Sequence, residues 1–126
     1  MMRILLDTHI FYWSLYNRSR LPQLALETIL GADAVFVSAV SIWETAIKVR
    51  LGKMKGDPAR LADYISESGF QELPVWSRHA KLVAALPLHH TDPFDRLLVA
   101  QAMSEPLHLL TVDTQLKPYS DLVVCV

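Results

Sequence analysis

The feature that most constrains the fold is a short apolar run near the N terminus that ends at a carboxylate. Ile4, Leu5 and Leu6 follow one another without polar alternation, and Asp7 comes directly after them. A strand with one solvent-facing side would alternate apolar and polar residues, so this run indicates a strand buried on both faces, as in a parallel sheet. Ligands of open parallel α/β sheets bind beyond the carboxyl ends of the strands, so Asp7 lies where a functional group is expected. Asp7 could equally cap the helix that follows, with Thr8 sharing that role.

Short apolar runs recur along the chain and alternate with segments that carry helix signals. The runs predict further strands at residues 34–37, 70–75, 107–112 and 122–126. Caps, prolines and glycines delimit predicted helices at 8–16, 22–30, 39–51, 57–68, 77–86 (capped by Ser77) and 92–103, with a turn or short helix at 113–116. The sequence therefore predicts an α/β fold, with a mostly parallel sheet of four to five strands between helical layers.

The spacing of apolar residues indicates which helix faces are buried. Apolar residues at helical intervals on helix 39–51 form one stripe: Val40, Trp43, Ala46, Ile47 and Leu51. The core candidates on helix 22–30 are Leu24, Ile29 and Leu30. Helix 8–16 is apolar nearly all round, so its aromatic residues cannot all face one core. We expect part of that aromatic surface to meet another chain; the alternative is a helix enclosed within the fold.

Composition restricts the class of protein. The 126 residues suffice for one domain with a real core, so we expect a single domain over residues 1–126. Hydrophobic residues make up 52% of the chain and the mean hydropathy is +0.24, which is typical of a folded protein. Because the net charge is −1, no global basic field is available to attract nucleic acid, and any such binding needs a local patch.

The single cysteine and the short apolar runs bear on location. Cys125 alone can form neither an internal disulfide nor a cysteine-based zinc cluster, and it fits a reducing cytoplasm. The uncharged runs are far shorter than the ~20 residues that a membrane-spanning helix needs. The first run is interrupted by Asp7 and lacks a small-residue cleavage site, so we do not expect a signal peptide. We expect a cytoplasmic protein without a membrane partner.

Four carboxylates fall near the predicted carboxyl edge of the sheet. Asp7 follows the first strand, and Asp113 follows the fourth. Glu44 lies in the helix after the second strand, and Asp95 lies in the first turn of the helix that begins after Asp92. Parallel strands all end on one side, and the helices that follow them begin there. The four side chains are therefore expected near one edge of the sheet.

These carboxylates also have purely structural explanations. Glu44 could pair with Lys48 or form a capping box with Ser41, Asp95 could favour the helix dipole, and Asp113 could cap a helical turn. Independent caps need not converge on one edge, however, and bunched carboxylates need a proton or a cation to offset their repulsion. Carboxylate oxygens suit Mg²⁺ or Mn²⁺, and a metal-activated water can attack phosphorus. The residues thus lead to the hypothesis of metal-dependent phosphodiester hydrolysis.

The chain resembles the PIN-domain family, and within it the VapC-like toxins of bacterial type II toxin–antitoxin pairs. The resemblance covers nearly the whole chain and rests on four motifs: Leu5-Leu6-Asp7-Thr8-His9; Val37-Ser38-Ala39-Val40-Ser41-Ile42-Trp43-Glu44 with Lys48 and Gly52-Lys53; Leu86-Pro87 with His90-Thr91-Asp92-Pro93-Phe94-Asp95-Arg96-Leu97-Leu98-Val99-Ala100-Gln101-Ala102; and Leu110-Thr111-Val112-Asp113. The third motif is long and specific, and the others support it in the right order.

This resemblance implies a Rossmann-like PIN fold and Mg²⁺- or Mn²⁺-dependent endoribonuclease activity. It also implies an antitoxin partner that blocks the active site, and a homodimer. The acidic set of the family maps to Asp7, Glu44, Asp95 and Asp113. Secondary polar positions near the metal map to Thr8, Ser38 and Thr111.

Several further polar residues near these motifs are open to interpretation. Asp92 precedes a proline and is interpreted as a helix cap rather than a metal ligand. Arg96 could reach a substrate phosphate or pair with a neighbouring carboxylate. His89 and His90 are interpreted as loop or packing residues, because adjacent residues rarely share one face and no second pair of metal ligands follows. His9 could line the cleft.

The basic residues concentrate in one segment, which holds Lys48, Arg50, Lys53 and Lys55. They could simply be a solvated helix end, since cations suit a helix C terminus. Given the resemblance, we favour a contact with the RNA backbone. The possible substrate contacts are therefore Lys48, Lys53 and Arg96.

Two other classes of α/β protein fit the sequence less well. A phosphoacceptor receiver domain would carry paired acids after strand one and a lysine after a late strand, and neither is present. The glycines match neither a dinucleotide-binding motif nor a P-loop. The alternative that stays open is a catalytically inactive PIN-like module that binds RNA or protein.

Overall fold

The computed structural model describes residues 2–126 and contains one sheet of five parallel strands. The strands are β1 (Arg3–Leu6), β2 (Ala34–Ser38), β3 (Gln71–Leu73), β4 (His108–Thr111) and β5 (Val123–Cys125). They lie in the order β3-β2-β1-β4-β5, and every neighbouring pair is parallel. The predicted α/β class and parallel sheet are confirmed. The third strand is short, covering Gln71–Leu73 of the predicted 70–75, because Pro74 directly after it has no N–H for a ladder.

Six α-helices connect the strands in the predicted order. They are α1 (Thr8–Tyr16), α2 (Gln23–Gly31), α3 (Ala39–Arg50), α4 (Pro58–Glu67), α5 (Ser77–Val83) and α6 (Pro93–Ser104). Short 3-10 helices cover Arg18–Arg20 and Thr114–Tyr119. Ser77 is not the cap of α5: Trp76 holds that position, and its N–H donates to Nδ1 of His79. Within residues 2–126, no helix has the length and apolar character needed to cross a membrane.

The central strand has one core on each face, as its unbroken apolar run predicts. Leu5 packs with residues of α5, α6 and β4, whereas Ile4 and Leu6 pack with residues of α1, α2 and α4. All three side chains are fully buried. The helices therefore form layers on both sides of the sheet, and only the strand ends remain open for a functional site.

The predicted apolar faces of α2 and α3 are partly wrong. Trp43 is 59% exposed and Leu51 is 62% exposed, and Leu24 and Leu30 are also exposed. The buried positions of α3 include three polar residues instead: Ser41, Glu44 and Thr45. This face is buried because it packs towards α1, where the Thr8 hydroxyl donates to Oγ of Ser41 at 2.9 Å. Spacing alone cannot reveal a helix that buries a polar face and exposes an apolar one.

A loop of the same chain covers part of the aromatic surface of α1. The Tyr12 hydroxyl donates to the carbonyl oxygen of Lys55 at 2.7 Å, and the Tyr16 hydroxyl accepts from the Asp57 N–H. Gly56 has a φ of 116°, and a Cβ atom there would lie 2.9 Å from the Tyr16 ring. The two tyrosines thus hold the loop after α3, which favours the enclosed helix over the expected contact with another chain. Trp13 stays half-exposed beside this loop.

Candidate active site

The strand order opens a crevice at the carboxyl ends of β1 and β4. The chain runs outward from β1 to β3 on one side and then crosses to β4 on the other, which makes the β1–β4 boundary the switch point of the sheet. The Asp7 N–H donates to the Leu110 carbonyl at 3.0 Å, so the two strands stay paired up to the crevice. Asp7 and Asp113 follow these two strands directly.

Asp7 is held at the crevice by hydrogen bonds to both carboxylate oxygens. Oδ1 accepts from the Ile10 N–H at 2.8 Å and thereby caps α1, and Oδ2 accepts from the Thr111 hydroxyl. Burial raises the pKa of the Asp7 carboxyl, and these two hydrogen bonds only partly oppose the rise. Asp7 is therefore both the N-cap of α1 and a buried carboxylate at the crevice.

Glu44 is a buried carboxylate with one oxygen paired and one unpaired. Its side chain is 2% exposed, and Oε2 accepts from the Lys48 ammonium at 2.6 Å, as the spacing of the two residues predicts. Among the described residues, Oε1 has no hydrogen-bond partner. Burial alone would lower the pKa of Lys48, but the hydrogen bond and the charges of Glu44, Asp92 and Asp95 outweigh it and raise that pKa. Lys48 therefore faces the acidic cluster and neutralises part of it.

The pKa of Asp95 is affected by the charges of several neighbouring carboxylates. Burial, followed by the charges of Asp92, Glu44 and Asp7, raises its pKa to about 7, against a smaller opposing effect of His90. Asp92 is the N-cap of α6, as predicted: its Oδ1 accepts from the N–H groups of Phe94 and Asp95 at 2.8 and 3.2 Å. Four carboxylates thus influence one another here, which favours either a bound proton or a cation.

Asp113 completes the cluster together with a histidine. Its Oδ1 accepts from the Gln115 N–H at 2.9 Å, so it caps the last 3-10 helix, and its Oδ2 lies 2.9 Å from Nε2 of His90. The Asp92 N–H donates to Nδ1 of His90, so the imidazole proton is on Nε2 and is donated to Asp113. Nε2 also lies 3.6 Å from Oδ2 of Asp95. In this tautomer both ring nitrogens are engaged, and His90 positions Asp113 rather than offering a lone pair to a metal.

The three secondary polar residues tie the elements of the site together. Thr111 donates to Asp7 and accepts from the Asp113 N–H at 3.0 Å, which links the ends of β1 and β4. Thr8 joins α1 to α3 through its hydrogen bond to Ser41. Ser38 caps α3 by accepting from the Val40 N–H at 3.1 Å. All three hydroxyls are buried and serve the local structure of the crevice.

The donor set of the crevice fits a hard divalent cation. Donor atoms of His90, Asp95 and Asp113 lie within 4.8 Å of one another. The unpartnered Oε1 of Glu44 is a buried acceptor that is costly to leave without a hydrogen or a cation. Since His90 is engaged with Asp113 and Asp92, the remaining donors are carboxylate oxygens, which Mg²⁺ and Mn²⁺ prefer. The crevice is a possible acidic metal site.

A family model for the PIN domain matches residues 4–122. The chain belongs to the PIN-domain family. It is 29% identical to ribonuclease VapC22 of Mycobacterium tuberculosis, over 94% of this chain and 93% of that protein. The match confirms the family resemblance carried by the four sequence motifs.

Solved structures of similar proteins agree on the fold. VapBC2 from Rickettsia felis, bound to a DNA fragment from its promoter, includes a chain with a TM-score of 0.71 to this PIN domain. That chain is 14% identical, and the match covers 99% of this chain and 98% of that one. FitAcB from Neisseria gonorrhoeae gives a TM-score of 0.68 at 21% identity, covering 98% and 96%. These likenesses establish the PIN fold of the chain.

The structure gives Arg96 a different environment from the two predicted for it. Its guanidinium donates to the carbonyl oxygens of Val83, Leu86 and Pro87 and to the Tyr119 hydroxyl, at 2.8 to 3.3 Å. It makes no ion pair with a carboxylate within residues 2–126. Arg96 therefore holds the loop that carries His90, and the predicted phosphate contact would have to share donors already in use.

His90 is the residue that sequence reasoning missed. Its position beside His89 predicts a loop or packing residue, yet its side chain is 15% exposed and lies between Asp95 and Asp113. Its backbone N–H donates to the Tyr119 hydroxyl, so its place depends on a residue that is distant in sequence. The available signal was local: His90 stands two residues before the cap of α6, at the predicted carboxyl edge.

Proposed function

We propose that this PIN domain is a Mg²⁺- or Mn²⁺-dependent endoribonuclease and the toxin of a type II toxin–antitoxin pair. The observation that carries the proposal is the acidic crevice at the switch point of the sheet. There, Asp7, Glu44, Asp95 and Asp113 are proposed as both the metal ligands and the catalytic residues. The identity to ribonuclease VapC22 supports the choice of RNA as the substrate.

The chemistry that a bound divalent metal supplies is positive charge at the phosphate and an activated water. The unpartnered Oε1 of Glu44 and the carboxylate of Asp95, whose pKa is raised to about 7, would be among the oxygens that hold the cation. Thr111 keeps Asp7 fixed through its hydroxyl, and His90 keeps Asp113 fixed through its Nε2–H. These residues hold the donor oxygens in place before substrate arrives, which is the main contribution of a protein to such a site.

The proposed partner is a cognate antitoxin that covers the crevice. The similar solved structures include VapBC2 and FitAcB, each named as an assembly. An antitoxin could offset the negative charge of the crevice with a cation of its own, as Lys48 does in part here. A cytoplasmic location remains an expectation from the sequence.

We also propose a homodimer, formed through the exposed apolar groove beside α3. The groove has a volume of about 260 Å³ and is lined by Val40, Trp43, Ala80, Val83, Pro93, Phe94 and Leu97. The Trp43 ring packs edge-on against Phe94 at 5.1 Å and remains 59% exposed. An apolar groove with an exposed tryptophan is typical of a surface that another protein covers.

Induced expression in bacteria tests the function. The wild-type protein is expected to arrest growth, and the Asp95→Asn variant is expected to be harmless at equal abundance. The matched control is Asp63→Asn, which removes one carboxylate from the exposed face of α4 and should stay toxic. Equal toxicity of wild type and Asp95→Asn would favour the alternative, a PIN-like module that binds RNA or protein without catalysis.

A further inference from the structure

A second concave feature lies beside the crevice, between α1 and the loop after α3. It has a volume of about 310 Å³, and its lining includes His9, Tyr12, Trp13, Arg20, Lys53 and Lys55. We call it the α1 pocket. It contains three cations and three aromatic rings, and no lining residue is acidic. In a chain with a net charge of −1, this local concentration of cations indicates a negatively charged binding partner.

The cations of the α1 pocket are available to a ligand. Arg20, Lys53 and Lys55 are exposed, and within residues 2–126 none of them forms an ion pair. Four of the nine other lysines and arginines are engaged: Lys48, Arg60 and Arg78 pair with glutamates, and Arg96 holds a loop. Free cations in a concave site suit a polyanion such as a phosphate backbone.

The aromatic side of the pocket is a group of neighbouring planar side chains, in which the His9 ring is tilted by 49° against the Trp13 ring. The Trp13 ring is half-exposed, with the His9 ring 5.8 Å away and the Arg20 guanidinium 5.0 Å from its centroid. Unpaired nucleobases stack on aromatic rings and on arginine planes, and every base offers a face for such contact. An acidic peptide would use the cations but would leave these planar groups unmatched.

The opposite wall of the pocket is fixed before any ligand binds. Tyr12 donates to the Lys55 carbonyl, and the N–H of Lys53 donates to the Lys48 carbonyl at 2.8 Å. Gly52 adopts a φ of 74°, which allows the chain to turn directly after α3. The two lysines are therefore displayed from a loop that is anchored to both α1 and α3, which limits the entropy lost on binding.

The pocket and the crevice both adjoin α1, and the charge of His9 lowers the pKa of Asp7. His9 stands two residues after Asp7, and Trp13 stands six residues after it, about 9 Å along the helix axis. We propose that the α1 pocket binds single-stranded RNA, with a base stacked on the His9–Trp13–Arg20 group and the adjoining phosphates on Lys53 and Lys55. This inference rests on the proposed ribonuclease function and assigns a substrate subsite to it.

Binding of a fluorescein-labelled single-stranded RNA, followed by anisotropy, tests the inference. The protein carries Asp95→Asn and contains no divalent metal, so that the probe stays intact. The Lys53→Ala/Lys55→Ala variant is expected to bind more weakly, and the slope of log K against log salt should fall by about 1.4, for two lost phosphate contacts. The control is Arg60→Ala/Lys81→Ala, which removes two exposed charges elsewhere and should leave the slope unchanged.

The stacking group gives a second, independent readout. Trp13→Leu is expected to weaken binding about tenfold without a change in the salt slope, because stacking does not release counterions. His9→Ala tests the same group should Trp13→Leu disturb the fold, and circular dichroism checks both variants. A duplex formed by the same RNA and its complement should compete poorly, since its bases are already stacked.

Three results would overturn the inference. The first is that both the lysine and the stacking variants bind RNA as tightly as the unsubstituted pocket does. The second is that the duplex competes as well as the single strand. The third is that the lysine variant no longer binds a polyglutamate peptide but still binds RNA normally. The last would assign the pocket to an acidic protein segment. The binding assay needs no cleavage, so failure of the nuclease function would appear separately, as wild-type protein that does not cut RNA.

Discussion

Replacing Asp95 by asparagine is expected to stabilise the metal-free protein, and to do so more strongly as the pH rises. The pKa of Asp95 is raised from 3.8 to about 7, because burial and the charges of Asp92, Glu44 and Asp7 disfavour the ionised form. The folded state therefore holds a proton that the unfolded chain releases near pH 3.8. Stability from this group is fully present below pH 3.8 and is lost as the pH rises through about 7.

The magnitude follows from the difference between the two pKa values. At about 1.4 kcal/mol for each pH unit, the rise from 3.8 to about 7 corresponds to a penalty of about 4 kcal/mol above pH 7. At pH 5 the penalty is about 1 to 2 kcal/mol by the same conversion. Asparagine cannot ionise, so the variant escapes the penalty at every pH. Relaxation of the partly exposed side chain makes these figures upper bounds.

Urea unfolding in the presence of EDTA, at pH 5 and pH 8.5, measures the effect. Asp95→Asn should exceed wild type in stability at both pH values, and the excess should grow by about 2 to 3 kcal/mol between them. Asp63→Asn, on the exposed face of α4, should follow wild type. Added Mg²⁺ or Mn²⁺ should stabilise wild type at pH 8.5 and have little effect on the variant. A variant that is less stable than wild type, or an excess independent of pH, would refute the reasoning.

Three further substitutions test the site and the proposed dimer. Lys48→Ala should lower the free energy of unfolding by about 2 kcal/mol in urea, because the buried Glu44 carboxylate loses its ion-pair partner. Thr111→Val should cost about 1 to 3 kcal/mol in the same assay, since it leaves Oδ2 of buried Asp7 without a donor. Trp43→Ser should shift the molar mass in light scattering from dimer towards monomer, because it removes the exposed ring of the apolar groove.

Each of these three predictions has an outcome that contradicts it. Unchanged stability of Lys48→Ala would mean that the ion pair between Lys48 and Glu44 does not stabilise the fold. A Thr111→Val protein as stable as wild type would mean that the hydroxyl does not support Asp7. The apolar groove would not be the dimer interface if the wild-type protein were monomeric at all concentrations, or if the Trp43→Ser variant stayed dimeric.

The sheet was predictable because its information is local. Four of the five strands contain a short apolar run, β3 (Gln71–Leu73) being the exception, and the parallel arrangement follows from helices that alternate with strands. Asp57-Pro58 and Asp92-Pro93 mark the starts of α4 and α6 correctly, since an aspartate cap and a proline in the first turn both act on neighbouring backbone atoms.

The buried face of α3 was not predictable from spacing. Apolar periodicity reports where apolar residues stand on a helix, but not which face the rest of the protein covers. Here the covered face carries Ser41, Glu44 and Thr45, because it adjoins the crevice, and Trp43 is left outside. A functional site is where local patterning and the final packing are expected to disagree.

The candidate site was likewise predictable only in part. The convergence of Asp7, Glu44, Asp95 and Asp113 follows from topology, which the sequence specifies through strand order. The role of His90 depends on contacts with Asp113 and Tyr119, which lie more than twenty residues away in the chain. No local pattern encodes such contacts. The expectation that adjacent histidines do not share a metal site also argued against a role for His90.

The central claim is that the acidic crevice hydrolyses RNA with a divalent metal. The most direct test is to incubate the purified protein with total cellular RNA, with Mg²⁺ or Mn²⁺ and with EDTA, beside the Asp95→Asn and Asp63→Asn variants. The account predicts discrete products that require the metal, persist in Asp63→Asn and vanish in Asp95→Asn. Absence of cleavage, or equal cleavage by wild type and Asp95→Asn, would contradict it.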